Sequence, residues 1–200
     1  MKKTKVFSIV TFLLILPLAY LLFNSIKSKI DQDRAIKDSE AGVRNQLIII
    51  RDAEKAFFGI HKYYTSNWDS LTNFVETGLV YNVQKREIIT TRPPDKSHLG
   101  DSVRIEYDTL GSDPVMKKVF PADKFPGFDP KKIAFIPGTD KKFAISTGRI
   151  ERSKMVVDVI EVIDPYPVDV TRSDKNDNPR RKFLRFGSMN EITLAGNWED

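Results

Sequence analysis

Apolar residues fill one unbroken stretch near the start of the chain, then thin out and become periodic. Residues 6–23 read VFSIVTFLLILPLAYLLF, eighteen positions without a charge. Beyond them Ile36, Val43, Ile50, Phe57 and Tyr64 recur at steps of seven. Ala35, Gly42, Ile49, Ala56 and Tyr63 precede them one by one, and Ala53 and Ile60 fill between. Side chains three, four and seven apart share a helix face, so this spacing draws one broad apolar stripe. Asp38, Asn45, Asp52, Lys55 and Lys62 take the opposite face. The pattern predicts a helix over 31–63. No Gly or Pro interrupts 24–41, so the helix is expected to continue from the apolar segment.

Ser39 and Gln46 stand where a two-stranded coiled coil wants apolar residues. The stripe is thus thin over 31–45 and wider and more aromatic beyond. The wide half is expected to pack on a domain core. The thin half is expected to be a stalk or a partner-helix surface, with Ile36 and Val43 as candidate partner-binding residues. Tyr64-Thr65-Ser66-Asn67 breaks the helix. Ser66 or Asn67 can cap a short second one, on which Trp68, Leu71, Phe74 and Val75 share a face and which Gly78 ends.

After Gly78 the pattern changes to strands, predicted over 79–89, 103–110, 115–120, 132–136, 142–149 and 155–163. Pro93-Pro94, the residues 111–114 and the run 121–130 are the expected breaks. A polar loop over 171–182 leads to a terminal hairpin of 183–186 with 191–194 across Gly187-Ser188. Trp198 is expected to lie against the sheet or helix. The fold class is therefore α+β: a transmembrane helix running into a long amphipathic helix, a short second helix, then a mostly antiparallel sheet. The expected divisions are a basic tail over 1–5, an anchor over 6–24, a stalk over 25–45 and an extracytoplasmic domain over 46–200.

Charge sharpens this picture. The chain of 200 residues carries a formal net charge of +5. Lys2, Lys3, Lys5, Lys27 and Lys29 lie in the first thirty residues, where no acid occurs. Taking those five from 32 basic residues leaves 27 against 27 acids. The rest of the chain is thus neutral and lacks the basic excess that displaces counterions from phosphates, so no nucleic-acid partner is expected. Eighteen residues at about 1.5 Å each nearly span a hydrocarbon core of about 30 Å. Leu22, Phe23 and Asn24 offer no small-residue cleavage pattern, so an uncleaved anchor is expected. The N-terminal lysines favour a cytoplasmic N-terminus, which puts the domain outside the inner membrane, in the periplasm of a two-membrane cell.

Candidate chemistry is sparse. The chain has no cysteine, hence no thiolate metal site and no acylated anchor. Its histidines are His61 and His98, without an H-E-x-x-H, G-x-S-x-G or P-loop pattern. Residues 173–178 place oxygen side chains at alternate positions, as a calcium loop does, but Pro179 and Arg185 break the pattern. No cofactor or metal is implied. Tyr63, Tyr64 and Trp68 form a possible stacking surface.

The stretch AEKAFFGIHKYYTSNWDSL follows a membrane helix and ends in a tyrosine-bearing turn. This arrangement resembles type IV pilins and type II secretion pseudopilins over 1–75. Those proteins carry a glutamate shortly after their peptidase site, whereas no acid here precedes Asp31, so the likeness concerns architecture and not polymerisation. A second likeness covers both ends of the chain. Arg51, Ala53, Ala56, Phe57, Tyr64, Thr65, Trp68, Asp69, Leu71, Phe74, Val75 and Gly78, with Gly187, Ser188, Met189 and Ala195-Gly196-Asn197-Trp198-Glu199, resemble an uncharacterised group of membrane-anchored Bacteroidota proteins. Together these readings lead one to expect a non-catalytic subunit of a cell-envelope assembly with a pilin-like ectodomain. Its partners would be the lipid bilayer and other envelope proteins, or a second copy through the juxtamembrane helix. The alternatives are an envelope polysaccharide-binding module and a carboxylate-dependent enzyme.

Overall fold

A computed structural model describes residues 2–90 and 102–199, with side chains described over 12–90 and 103–199. His98 and the Pro93-Pro94 break lie outside the described residues. One helix, α1, spans Lys2–His61 without interruption and contains Pro17. Residues 12–35 are exposed throughout. From Val43 onward one face turns inward: Val43, Leu47, Ile50, Ala53 and Phe57, spaced by threes and fours, enter the core.

The second helix, α2, spans Trp68–Thr77. Asn67 caps it, its Oδ1 accepting the N–H groups of Asp69 (2.8 Å) and Ser70 (3.3 Å). Leu71, Phe74 and Val75 are buried, and Phe74 meets Phe57 edge-on at 5.2 Å. Gly78 ends the helix for want of space: a Cβ there would lie 2.3 Å from the Phe74 carbonyl oxygen.

Two antiparallel sheets follow. The strands β1 (Leu79–Thr90) and β2 (Ser102–Pro114) form a two-stranded ribbon with a bulge beside Asn82 and Val83. The strands β3 (Ala144–Arg152), β4 (Met155–Ile163) and β5 (Arg185–Gly187) form the second sheet in that order. Ser153 and Lys154, both at positive φ, make the tight β3–β4 turn whose twist suits a hairpin. Ile160 and Val162 of β4 and Phe186 of β5 complete the core against α1, joined by Val115, Phe120, Ile133, Ile136, Phe143 and Leu184.

Several expectations need correction. The break placed at 111–114 is the end of β2. The strand placed at 115–120 begins as a short helix, α3 (Val115–Lys118). Val115, Met116, Val119 and Phe120 fit a helical face as well as a strand, and Pro114 starts the turn. Residues 132–136 follow a 3-10 turn, Pro130–Lys132, capped by Asp129; they keep only an isolated bridge from Phe135 to Lys142. The hairpin of 183–186 with 191–194 does not form: one edge of β5 pairs with β4, and the chain beyond Gly187 comes back to the other edge only at Gly196. Gly187, at φ 75°, approaches so closely that a Cβ would lie 2.0 Å from the Ile160 carbonyl oxygen. The tail then returns through a bridge from Phe186 to Gly196, and half-buried Trp198 packs on the core. The head also starts earlier than residue 46, since Glu40 and Val43 are already buried.

Candidate functional site

The tyrosine-bearing turn builds a groove at the far end of α1. Lys62 takes a left-handed conformation and its N–H donates to the Phe58 carbonyl (2.9 Å), which stops the helix. The chain then swings past Tyr63 and Tyr64. Tyr64 stacks on Phe58 with centroids 4.6 Å apart, and Tyr63 meets Phe57 edge-on at 5.6 Å. Both tyrosines line a cavity of about 380 Å³ with Thr147, Gly148, Arg149 and Asp158. A neighbouring cavity of about 280 Å³ shares Tyr64 and Asp158 and runs on to Ile192 and Thr193. Arg149 and Asp158 face each other across β3 and β4, with Nε donating to Oδ1 at 2.8 Å. The groove thus offers two phenol rings, a hydroxyl and a paired charge.

Of the stacking candidates, the structure brings Tyr63 and Tyr64 to this groove. Trp68 does not line it; that ring is half-buried against the core from α2.

Directly behind the turn lies Glu54, fully buried. Its Oε2 accepts the Thr65 N–H at 3.2 Å, while Oε1 has no partner. Burial pushes its carboxyl up to about 8, partly offset by the Thr65 hydrogen bond. Glu54 is therefore mostly uncharged at neutral pH. The Tyr64 phenol is raised as well, by burial first and then by Glu54 and Asp158. These perturbed groups cluster as at many active sites. Glu54 itself has no solvent-facing surface and lines neither of these two cavities. Sequence spacing missed Glu54 because Asp52 and Lys55, its neighbours on the helix, both read as outer-face residues.

A second polar cluster sits where α1 enters the head. Glu40 accepts Nε and Nη2 of Arg172 (2.5 and 2.9 Å) and Nη2 of Arg44 (2.8 Å). Arg172 also donates to the carbonyls of Arg180 and Lys182, both at 2.9 Å. The Arg172 hydrogen bond, opposed by burial, holds the Glu40 carboxyl below its usual value. The loop expected to be merely solvated is thus bolted to the helix. Its alternating oxygens serve local turns: Asn178 Oδ1 accepts the Arg180 N–H and Asn176 Oδ1 the Asn178 N–H, while Asp174 pairs with Arg185. Among the described residues, no group of three or more His, Asp or Glu side chains converges as a metal site would require.

The partner-binding candidates separate. Ile36 is half-exposed below the head. Val43 is not available to a partner, because it is 3% exposed within the protein's own core. The thin stripe misled here: residues that arrive late in sequence, such as Ile136 and Leu184, widen the surface that α1 packs against.

Comparison with known protein families, with curated proteins and with solved structures finds no match for this chain. One helix near the N-terminus, within Phe12–His61, is long and apolar enough to cross a membrane.

Proposed function

We propose that the protein is a non-catalytic, membrane-anchored subunit of a cell-envelope assembly, holding its α+β head in the periplasm with the N-terminus in the cytoplasm. The observation that carries this reading is the single helix α1. It runs without a break from an exposed apolar segment into the centre of the head, where Leu47 and Ile50 are fully buried. Such a helix transmits position and orientation from the bilayer to the head, since it has no linker to absorb them. The turns between them carry exposed Ile26 and Ile30, and half-exposed Ile36 is the one of these nearest the head that is open to a neighbour. Envelope proteins or a second copy would dock there. A pilin-like ectodomain would accord with this role.

The test is a photoreactive residue at Ile36 in the full-length protein in cells. Reproducible adducts with envelope proteins or with a second copy are expected. A chain that yields no adduct at 36 would overturn the juxtamembrane docking.

A second reading rests on the groove. Tyr63 and Tyr64 beside Arg149 and Asp158 suit the apolar face and hydroxyls of a sugar, so an envelope polysaccharide is the alternative ligand. Tyr63→Ala should then weaken retention on immobilised envelope polysaccharide while leaving the membrane association intact.

A further inference from the structure

The β1–β2 ribbon stands off the head. Its base is tied down by half-buried Val80 and by the Val115 N–H donating to the Gly78 carbonyl at 3.0 Å. Beyond the bulge, residues 83–90 are exposed, and on β2 only Glu106 and Asp108 are even half-covered between 103 and 110. The register pairs Ile89 with Val103, Glu87 with Ile105 and Lys85 with Tyr107. Strand side chains alternate, so Val83, Ile89, Val103, Ile105 and Tyr107 share one face with the Lys85–Glu87 pair, and Arg86, Ile88, Arg104, Glu106 and Asp108 take the other. Val103, Ile105 and Tyr107 are 58%, 46% and 67% exposed. A lone two-stranded ribbon is marginal in water, and this one shows water a row of large apolar side chains.

Among the described residues, β2 pairs with β1 alone, so its outer edge presents unpaired backbone donors and acceptors. Proteins usually blunt such an edge with charged side chains, above all lysine, or with proline or a bulge; here the charges are Arg104, Glu106 and Asp108, of both signs. Residues 103–109 contain neither lysine nor proline, and the bulge comes only at the base. The sequence of this edge, V-R-I-E-Y, is complementary to itself when reversed about its centre. Laid antiparallel on a second copy about Ile105, Val103 faces Tyr107, Arg104 faces Glu106 and Ile105 faces Ile105. Opposite charges meet on one face and apolar side chains on the other. The same operation on β1, centred on Arg86, sets Arg86 against itself, which disfavours that edge.

We propose that the outer edge of β2 is the contact of a two-fold homodimer, in which two copies pair antiparallel about Ile105 and merge their ribbons into one four-stranded sheet. The occupant is a second copy because the charge pattern matches its own reverse. In the free chain Arg104 and Glu106 pair along the strand, 3.5 Å apart, and across β1 Glu106 faces Arg86 while Arg104 faces Ile88. In the pair each gains an opposite charge across the new edge, and an isologous contact makes every such pair twice. The inference rests on the ribbon alone and is independent of what the head or anchor bind.

The absence of cysteine makes the test direct. Facing residues of an antiparallel pair have Cα atoms roughly 4.5–5.5 Å apart, within disulfide reach. Full-length Ile105→Cys in detergent and in membranes should form a disulfide-linked dimer under mild oxidation. Full-length Thr109→Cys should not, since the two copies of that position would lie roughly 26 Å apart at about 3.3 Å per residue. On the Ile105→Cys background, Arg104→Glu and Glu106→Arg should each lose roughly tenfold of the self-linked dimer through facing like charges. Mixed together, those two variants should link to one another, because every facing pair is again opposite in sign. Recovery in the mixture also shows that both variants keep the ribbon folded. Equal linkage at 105 and 109, no loss on charge reversal, or no recovery in the mixture would overturn the proposal. So would linkage of position 105 in cells to a different protein in place of its own copy.

Discussion

Glu54 lies inside the core of the head with one oxygen on the Thr65 N–H and the other on nothing. Burial pushes its carboxyl up to about 8 in the folded chain, against 4.5 for a free glutamate. Between those values the folded state holds the proton that the unfolded chain has lost. Stability is therefore highest in acid, falls as pH rises from about 4.5 to 8, and then levels. At about 1.36 kcal/mol per pH unit the fall is at most about 5 kcal/mol. Glu54→Gln keeps the acceptor for Thr65 and removes the titration. The variant should lose this pH slope and be the more stable of the two at pH 9, and close to or below the parent at pH 5. Urea unfolding followed by the fluorescence of Trp68 and Trp198 measures both. An unchanged slope would exclude Glu54 as its source. Glu40 acts in the opposite sense: its lowered value stabilises above the usual glutamate range, and that contribution is lost as pH falls through it.

At the level of elements, two features depend on contacts between distant segments. The 3-10 turn Pro179–Arg181 and its flanks hang on Arg172, whose guanidinium bridges Glu40 on α1 to two carbonyls of the loop. Breaking a largely buried pair by removing one partner costs about 3–5 kcal/mol when burial is complete and the other is stranded. Both side chains here are about nine-tenths buried but Glu40 would keep Arg44, so Arg172→Met should cost less, about 1–3 kcal/mol. Trypsin should then cut at Lys175 and Arg181 well before the rest of the head. Arg172→Lys should protect poorly, since an ammonium cannot fork to both oxygens of Glu40. Cleavage at parental rates in both variants would show that the loop holds without this bolt. The second feature is β5. Its three residues pair with β4 along one edge and meet the returning tail at Gly196 on the other, and Gly187 turns the chain where any side chain would strike Ile160.

Over the whole molecule, α1 joins two regimes. Residues 12–35 are exposed throughout, and those 43 and beyond supply the centre of the head. A chain beginning at Asp31 should therefore keep the unfolding midpoint of the head and lose flotation with lipid vesicles. A lowered midpoint would show that the anchor segment also packs on the head. The same division limits what a substitution can report. Val43→Asp would unfold the head and not merely detach a partner, whereas Ile36 lies outside the core and can test docking alone.

The sequence by itself determined what short-range physics decides. The charge-free run marked a helix able to cross a membrane, the seven-residue spacing carried that helix to residue 61, and Asn67 and Gly78 bracketed α2. Capping and periodicity involve residues within a few positions of one another, so they can be read along the chain. The strands expected at 79–89, 142–149 and 155–163 are found at 79–90, 144–152 and 155–163, since their patterns are also local. Tyr63 and Tyr64 were visible as a pair of rings, but not the Arg149 and Asp158 that close their groove. Only the tertiary structure decided that Val43 is core, that Glu54 is sealed, that Glu40 meets Arg172 across 132 positions, and that among the described residues β2 has one partner strand. Each of those depends on which distant segment arrives at a given face. A one-dimensional pattern states that a face is apolar or charged; the fold determines what covers it.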